Sequence, residues 1–219
     1  MTNPLSETPE SGNPLQRTAK WFHDRTGCLT ASRFAAVLER KRDGSPKAAY
    51  GDLLDTIVAE RITGEAIGIG NSPALEWGRD HEDEAREAYE AETGAFVQLV
   101  GFIPHPSIPY LGASPDGLVD EDGLLEIKCP YSTVVHLKRI RAGLVPAEYR
   151  PQMLLQAICT GRKWVDFVSY DPRLIGTPYE RLAYWTIRYT PTDEEKAKAL
   201  DAATEFLKAV DDAIADLLK

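Results

Sequence analysis

The segment 114–128 constrains the fold of this chain more than any other. It reads Ser-Pro-Asp-Gly-Leu-Val, then Asp-Glu-Asp-Gly, then Leu-Leu-Glu-Ile-Lys. Two short apolar runs joined by an acidic loop that ends in Asp-Gly are typical of a β-hairpin, because glycine tolerates the left-handed backbone of a tight turn. We therefore predict two adjacent antiparallel strands here, with the rest of a sheet built around them.

The register of this hairpin decides which side chains meet. If residues 121–123 are a three-residue loop with a left-handed glycine, Asp116 pairs with Lys128. Paired residues share a face of the sheet, and Glu126 shares a face with Lys128 because the two are two residues apart. Two carboxylates and one ammonium are thus predicted to converge, whereas a one-residue slip would send Asp116 to the opposite face.

Such a group has a defined chemistry. Two close carboxylates are hard to keep ionised unless a cation lies between them, and oxygen ligands without paired His or Cys favour Mg²⁺ or Mn²⁺. An ion of this kind activates water and stabilises charge on a phosphoryl oxygen, while Lys128 adds a positive charge or a proton acceptor. The set suits hydrolysis of a phosphodiester. Taken alone, however, the pattern is more often a solvated hairpin in which Glu126 and Lys128 merely pair.

Several blocks in a fixed order along residues 21–173 make the chain resemble the phage lambda exonuclease family, which are viral recombination nucleases of the PD-(D/E)xK group. The blocks are the strand ending Leu-Glu-Ile-Lys-Cys-Pro, Trp21–Ser32, Leu75–Arg79 with Glu82 and Ala85-Arg86, Tyr149 with Gln152, and Ser169–Arg173. Spaced blocks in order are far more specific than one D…E-x-K pattern. The resemblance implies a PD-(D/E)xK nuclease-like core with a mixed central β-sheet flanked by helices.

The resemblance also assigns roles at the metal centre. The implied metal-binding positions are Asp116, Glu126, the backbone carbonyl of Ile127, and Glu82. Lys128 would orient or deprotonate the attacking water. From the sequence alone, Glu82 is one acid in an acidic helix, and Arg79 and Arg86 could pair with it as ordinary surface partners.

Further positions match the family's DNA contacts. The residues that match its pocket for a terminal 5′-phosphate are Arg25, Ser32, Ser114 and Gln152. A guanidinium fork with neutral donors suits a phosphate dianion, although Ser32 taken alone is a helix N-cap. Arg42 matches an arginine placed in the duplex. Leu75 matches an apolar wedge that helps to split the terminal base pair, but it also fits a core position. The dipeptide Arg150-Pro151 departs from the family pattern just before Gln152.

The charge of the chain bears on DNA binding, because phosphate contacts dominate affinity for nucleic acids. The net charge is −9, which is unfavourable for such a partner. However, five of the residues 33–47 and four of the residues 136–150 are Lys or Arg. The acids concentrate in two predicted helices, 76–92 and 193–216. The distribution permits a basic face with an acidic exterior.

Alternating periodicities predict the elements. Helices are predicted around 53–62, at 72–94, 134–141 and 152–159, and after a capping box at Thr192 and Glu195; strands are predicted at 96–103, 110–114, 124–128, 165–170 and 182–189. Helices before, between and after strands indicate an α/β or α+β fold with a mixed central sheet. We predict a flexible tail at 1–16 and a single domain at 17–219.

The remaining composition points to an intracellular protein. The cysteines are scattered and form no C-x-x-C pair, which argues against a zinc ribbon or an iron–sulfur cluster: Cys28, Cys129 and Cys159. We expect them to be small buried residues in a reducing environment. No stretch is apolar enough to span a membrane and no secretory signal opens the chain, so we expect the cytoplasm of a bacterial or phage-infected cell. Three histidines without a partner pattern are expected to be structural or exposed: His23, His105 and His136.

The function implied is a Mg²⁺-dependent exonuclease, with Mn²⁺ as a substitute, that degrades the 5′-ended strand of double-stranded DNA. Two-metal hydrolysis would release 5′-mononucleotides and leave a 3′ single-strand tail. The family further implies a ring-shaped homotrimer and a single-strand annealing protein as partner. Three other functions remain open: a restriction- or repair-type endonuclease on the same core, a non-catalytic DNA-binding recombination protein, and an enzyme acting on small phosphate substrates. The last lacks a Gly-rich phosphate loop.

Overall fold

The computed structural model describes residues 13–68, 70 and 72–219. In this part of the chain the strands are β1 Leu29–Thr30, β2 Val97–Gln98, β3 Ile103–Pro104, β4 Leu111–Ala113, β5 Gly117–Val119, β6 Gly123–Lys128, β7 Trp164–Tyr170 and β8 Tyr184–Tyr189. The α-helices are α1 Ala19–Arg25, α2 Ala35–Leu38, α3 Ala48–Thr63, α4 Pro73–Asp80, α5 Glu82–Thr93, α6 Thr133–Ala142, α7 Arg150–Thr160 and α8 Asp193–Leu217.

The main sheet has five strands in the order β2-β5-β6-β7-β8. Strands β6 and β7 are parallel, whereas the other neighbours are antiparallel. A smaller sheet of order β1-β4-β3 lies beside the start of the hairpin. The predicted mixed sheet with flanking helices is confirmed. The parallel pair matters most, because it fixes which residues of β7 lie beside the functional residues of β6.

Both faces of the main sheet are buried. On one face Leu124 and Phe167 belong to the larger hydrophobic core, which the helices α2, α3, α7 and α8 complete. On the other face Leu125 and Val168 pack with Tyr89 of α5 in a second core. Because side chains alternate along β6, Glu126 lies on the same face as Leu124 and is directed toward α7. This strand is therefore buried on both sides, with one carboxylate in its centre.

The hairpin forms where it was predicted, but its register was wrong by two residues. Val119 pairs with Gly123, and the loop consists of residues 120–122. Asp120, rather than the glycine, has the left-handed φ of 45°. Gly123 is needed for packing instead, since a Cβ at this position would overlap the ring of Trp164. A shift of two residues preserves the faces of both strands, so the predicted convergence of side chains survives the error.

Two predicted elements are divided in the structure. The helix predicted at 72–94 has the expected cap at Ser72 and the expected stop at Gly94, but it breaks at His81, which leaves the helical conformation with φ −111° and ψ 5°. The break gives α5 a first turn of its own, which contains Glu82. The strand predicted at 96–103 is also two strands, β2 and β3, and these belong to different sheets.

The tail predicted at 1–16 requires a correction at its end. Residues 1–12 lie outside the described part of the chain, but Asn13 and Gln16 are buried. The side chains of both residues donate to the carbonyl of Val100, at 2.7 and 3.1 Å, and Gln16 also donates to the carbonyl of Pro115 at 2.9 Å. These amides satisfy carbonyls that the short neighbouring strands leave unpaired, and the ordered domain therefore begins no later than residue 13.

Other predictions on the second half of the chain are confirmed. Helix α7 begins at Arg150, with Pro151 in its first turn, where a missing N–H costs nothing; the departure from the family pattern therefore starts this helix without distorting it. Thr192 and Glu195 form the predicted capping box of α8. All three cysteines are free and buried. None of the helices in the described residues is both long and apolar enough to cross a membrane.

Candidate active site

Strand β6 carries a buried carboxylate that several donors hold in place. Glu126 is fully buried between the sheet and α7. It accepts hydrogen bonds from Gln152 Nε2 at 2.7 Å, from Gln156 Nε2 at 2.6 Å, and from the ammonium of Lys128. The two glutamines lie one helical turn apart and therefore reach the same carboxylate. The position of Glu126 is thus fixed by the fold before a substrate binds.

Asp116 lies beside this carboxylate, just before β5. Its Oδ2 accepts a hydrogen bond of 2.6 Å from the N–H of Ile127, and its own N–H donates to the carbonyl of Leu125 at 3.1 Å. Burial raises the pKa of the Asp116 carboxyl well above its usual range, and the nearby carboxylates of Glu126 and Glu82 raise it further. Three negative groups therefore repel one another at this point, and a cation between them would relieve the repulsion.

Lys128 supplies a positive charge next to these carboxylates. Burial opposes its charged form, but Glu126 and Asp116 outweigh this effect and raise the pKa of Lys128 above its ordinary value. Its Nζ also lies 5.2 Å from the centroid of the Tyr149 ring, which is within range of a cation–π contact. The site without a metal therefore holds Lys128 as an ammonium.

Glu82 approaches the same point from the first turn of α5. Its side chain is buried and forms an ion pair with Arg17, with 2.7 Å between Oε2 and Nη2. Arg17 has a left-handed φ of 61°, an uncommon conformation for a residue with a Cβ. Arg86, one of the two surface partners that helical spacing offered to Glu82, pairs with Asp83 instead.

The residues fit a hard divalent cation in part. The carboxylates of Asp116 and Glu126 and the carbonyl of Ile127 are oxygen donors of the kind Mg²⁺ prefers. Within the described part of the chain, no three His, Cys, Asp or Glu side chains form a ready-made ligand set. The contacts explain this: Glu126 accepts three hydrogen bonds, and Glu82 is paired with Arg17. A cation therefore fits at Asp116 and Glu126, and it would compete with Arg17 for Glu82.

A second group of side chains, here called the arginine cluster, consists of Trp21, Arg25, Ser32 and Ser114. Arg25 Nη2 lies 3.3 Å from the hydroxyl of Ser32, and its guanidinium stacks 3.9 Å above the ring centroid of Trp21. The indole N–H of Trp21 donates to Ser114 at 3.0 Å. Burial, and then the charge of Arg33, lower the pKa of Arg25 to about 10. The charge of Glu60 opposes this decrease in the pKa only in part, so a bound anion would further stabilise the charged form of Arg25.

A groove of about 1110 Å³ joins the two groups. Its lining includes Glu82, Asp116 and Lys128 of the first group and Trp21, Arg25 and Ser32 of the arginine cluster. A strand of nucleic acid held by the arginine cluster would therefore reach the carboxylates without leaving the groove.

The other predicted DNA contacts are placed as follows. Leu75 on α4 lines the groove with 55% of its surface exposed, and is therefore not a core residue. Gln152 lies in contact with Glu126 rather than with the arginine cluster. Arg42 is exposed in the loop after α2 and is not one of the side chains that line the groove.

Three residues to which the sequence analysis gave no role contact these groups: Arg17, Trp21 and Gln156. Two of them had a detectable signal. Gln156 lies one helical turn after Gln152, and Trp21 lies one turn before Arg25, so each shares a helix face with a predicted residue. Arg17 had none, because it is the first residue of the predicted domain and belongs to no predicted helix or strand.

The mixed sheet, with an Asp on one strand and Glu-x-Lys on the next, defines a nuclease of the PD-(D/E)xK type. The comparison of the sequence with family models identifies the family. The model of the YqaJ-like viral recombinase domain matches residues 20–163, and the chain belongs to this family. The predicted resemblance to lambda exonuclease-like proteins is confirmed. No curated protein matches the sequence.

Solved structures agree with this assignment. The chain is 38% identical to an alkaline exonuclease, LHK-Exo, from Laribacter hongkongensis, with a TM-score of 0.82; the match covers 91% of this chain and 96% of that chain. A structure of LHK-Exo in complex with dAMP gives a TM-score of 0.83 at 39% identity, with the same coverage. A phage-related exonuclease from Haemophilus somnus 129PT shares the fold, with a TM-score of 0.63 at 13% identity over 87% of this chain and 96% of that chain.

Proposed function

We propose that this chain is a Mg²⁺-dependent 5′-to-3′ exonuclease acting on the ends of double-stranded DNA. One observation carries the proposal: Asp116 and Lys128, which contact the residues around Glu126, line the same groove as Arg25 and Ser32. The first group suits phosphodiester hydrolysis, and the second suits a phosphate monoester. Their connection through one groove favours an enzyme that anchors a strand end and cuts nearby.

The proposed metal site uses Asp116, Glu126 and the carbonyl of Ile127, with Glu82 completing a second position. Mg²⁺, or Mn²⁺ in its place, would supply Lewis acidity at the phosphoryl oxygen and favour two-metal, in-line hydrolysis. The protein's own contribution is positioning: Gln152 holds Glu126 from α7 while the N–H of Ile127 holds Asp116. Each carboxylate therefore keeps its orientation as the phosphate arrives.

Lys128 has the remaining role at the reacting phosphate. Its Nζ lies between Glu126 and the ring of Tyr149, on the wall of the groove. As an ammonium it can donate to a water molecule or to a phosphate oxygen and so orient the attack. A cation that neutralises the same carboxylates removes the interaction that raises its pKa, which brings Lys128 closer to service as a proton acceptor.

The arginine cluster would set the direction of digestion. Arg25 with Ser32 can bind a terminal 5′-phosphate, and the connection of Trp21 to Ser114 holds this cluster against the strand that leads into Asp116. A strand anchored by its 5′ end is then cut near that end, releasing 5′-mononucleotides and leaving a 3′ tail. The dAMP in a structure of LHK-Exo is a deoxynucleoside monophosphate, the class of product proposed here.

The test compares three substrates in the presence of Mg²⁺: linear duplex with 5′-phosphates, the same duplex with 5′-hydroxyls, and a covalently closed circle. We expect faster digestion of the phosphorylated duplex and no cleavage of the circle. Arg25→Gln should remove the preference for the 5′-phosphate, whereas Lys20→Gln, an exposed lysine of the same helix, should leave it unchanged. Cleavage of the circle would favour the endonuclease alternative, and equal rates on both linear duplexes would refute the 5′-phosphate pocket.

Arg42 and Leu75 are proposed as further contacts of this duplex, Arg42 in the groove of the DNA and Leu75 at the terminal base pair, whereas Gln152, predicted in the 5′-phosphate pocket, is proposed to position Glu126. The exposure of Leu75 on the wall of the groove supports its role. We further propose a ring-shaped homotrimer, a single-strand annealing protein as partner, and a cytoplasmic location; the resemblance to the lambda exonuclease family supports these. Light scattering of the purified protein tests the trimer directly.

A further inference from the structure

Arg139 on α6 is a buried cation that pairs with no carboxylate among the described residues. Its surface is 8% exposed. Its Nη2 donates to the hydroxyl of Tyr149 at 2.9 Å and its Nη1 donates to the hydroxyl of Ser169 at 3.3 Å, while its Nε is buried without a hydrogen-bond partner. A guanidinium has five N–H donors, and a buried charge without a counter-ion is costly. This residue is therefore better suited to a bound anion than to the empty protein.

The position of Arg139 relates it to the active site. The parallel register of β6 and β7 places Ser169 directly beside Lys128, on the same face of the sheet. The ring of Tyr149 lies between the two cations: its centroid is 5.2 Å from Lys128 Nζ and 5.2 Å from Arg139 Cζ. Arg139 also lines the same groove as Asp116 and Lys128. The two positive charges thus follow one another along the wall of the groove.

A purely structural role does not account for the charge. The hydroxyl of Ser169 already contacts His136 Nδ1 at 2.9 Å, and His136 Nε2 lies 2.7 Å from the carbonyl of Leu182. These contacts hold α6 to the sheet without help from Arg139. A neutral side chain of similar length could also bond to Tyr149. What only the arginine adds is a positive charge in the wall of the groove, with a buried N–H donor that no protein group accepts.

We propose that Arg139 binds a backbone phosphate of the strand being cut, next to the phosphate that is hydrolysed. This rests on the proposed nuclease function and adds a DNA-positioning residue to it. The ligand class is a phosphodiester: the fork of Arg139 donates to its non-bridging oxygens, while Tyr149 keeps the guanidinium at a fixed distance from Lys128. Arg139 therefore sets which linkage lies over Asp116 and Glu126.

The test measures the binding of 5′-phosphorylated duplex ends by fluorescence anisotropy in EDTA, so that no DNA is cut, over a range of salt concentrations. Arg139→Gln should weaken binding about tenfold at moderate salt and reduce the slope of log K against log salt by about 1, because one phosphate contact is lost. Arg139→Lys should keep the slope while losing part of the affinity, since it keeps the charge but not the fork.

Arg141→Gln is the matched control, because it removes one positive charge from the same helix at an exposed position. It should leave the slope unchanged. A duplex series with one neutral methylphosphonate at each of the first linkages then locates the contact: one substitution should weaken binding by the wild type but not by Arg139→Gln. Thermal unfolding of each variant reports whether it folds, and Arg139→Met, which is also neutral and of similar length, replaces Arg139→Gln in the series if the latter does not.

The outcomes distinguish failure of the Arg139 proposal from failure of the nuclease proposal. If the wild type binds DNA with a normal salt slope and Arg139→Gln has the same slope, the Arg139 proposal is wrong and the nuclease proposal stands. If methylphosphonates weaken DNA binding by the wild type and by the Arg139 variants equally at every linkage, Arg139 contacts no single phosphate, and the Arg139 proposal is again refuted. If the wild type does not bind duplex ends at all, both proposals fail together.

Discussion

The ion pair between Arg17 and Glu82 provides a test of the metal site that does not depend on activity. Arg17 forms an ion pair with Glu82, the carboxylate that the second metal position would need, with 2.7 Å between Nη2 and Oε2. We expect Arg17→Gln to destabilise the protein without metal, because Glu82 is then a buried carboxylate without a partner. We also expect Mg²⁺ to stabilise the variant more than the wild type, because the ion no longer competes with the guanidinium.

The magnitude follows from the burial of the pair. Breaking a fully buried ion pair costs about 3–5 kcal/mol. Here the side chains are 23% and 11% exposed, and Arg17 Nη1 is already buried without a partner, so a loss of about 2 kcal/mol is the better expectation. For a domain of this size, that loss lowers the Tm by about 4–8 °C. Saturation with Mg²⁺ at about 100 times its Kd would return about 2.7 kcal/mol.

The assay is thermal unfolding in EDTA and at increasing MgCl₂, with KCl added to keep the ionic strength constant. Lys20→Gln is the control, because Lys20 forms an exposed ion pair with Asp24 that contributes less than about 1 kcal/mol. Its Mg²⁺-induced change in Tm should equal that of the wild type. If Arg17→Gln also shows the wild-type change, Glu82 does not bind the ion and its role at the metal centre must be abandoned.

Three further results are expected. Lys128→Ala should lower the cleavage rate by about 10³-fold or more while DNA binding persists, and single-turnover digestion with normal rates would refute its role. Without metal, in EDTA, the pKa of Asp116 is higher in the folded protein than its value near 3.8 in the unfolded chain. The carboxyl therefore stabilises the fold fully below pH 3.8, and this stabilisation is lost as the pH rises through the pKa of the folded state. Asp116→Asn should therefore gain stability over the wild type from pH 4 to pH 8, and a constant difference in urea unfolding would contradict this. Gly123→Ala should cost about 1–3 kcal/mol because its Cβ would meet the ring of Trp164, which denaturant unfolding can measure.

The strand that carries Glu126 and Lys128 was predictable, because residues two apart share a face in any register that keeps the strand. The register itself was not. Loops at 121–123 and 120–122 both suit the local sequence, and the choice depends on Trp164, a residue 41 positions after Gly123 that requires a glycine beside it. The convergence with Asp116 survived because the two registers differ by an even number of residues.

The contacts around the site were predictable only where they repeat along a helix. Gln156 follows Gln152 by one turn, and both reach Glu126, so a helical pattern could have indicated the second glutamine. The break at His81 and the pairing of Glu82 with Arg17 depend on how separate elements pack together. No local pattern in the sequence records such packing, which is why these features appeared only in three dimensions.

The hydrogen bond from Gln16 to Pro115 joins two residues that are 99 positions apart in the sequence. Pro115 immediately precedes Asp116, so Gln16 supports the backbone on which catalysis would depend. A deletion or fusion that reaches Gln16 would therefore disturb catalysis, although Gln16 is far from Asp116 in the sequence. Anyone who trims or tags this protein should end the change before residue 13 and verify that digestion is intact.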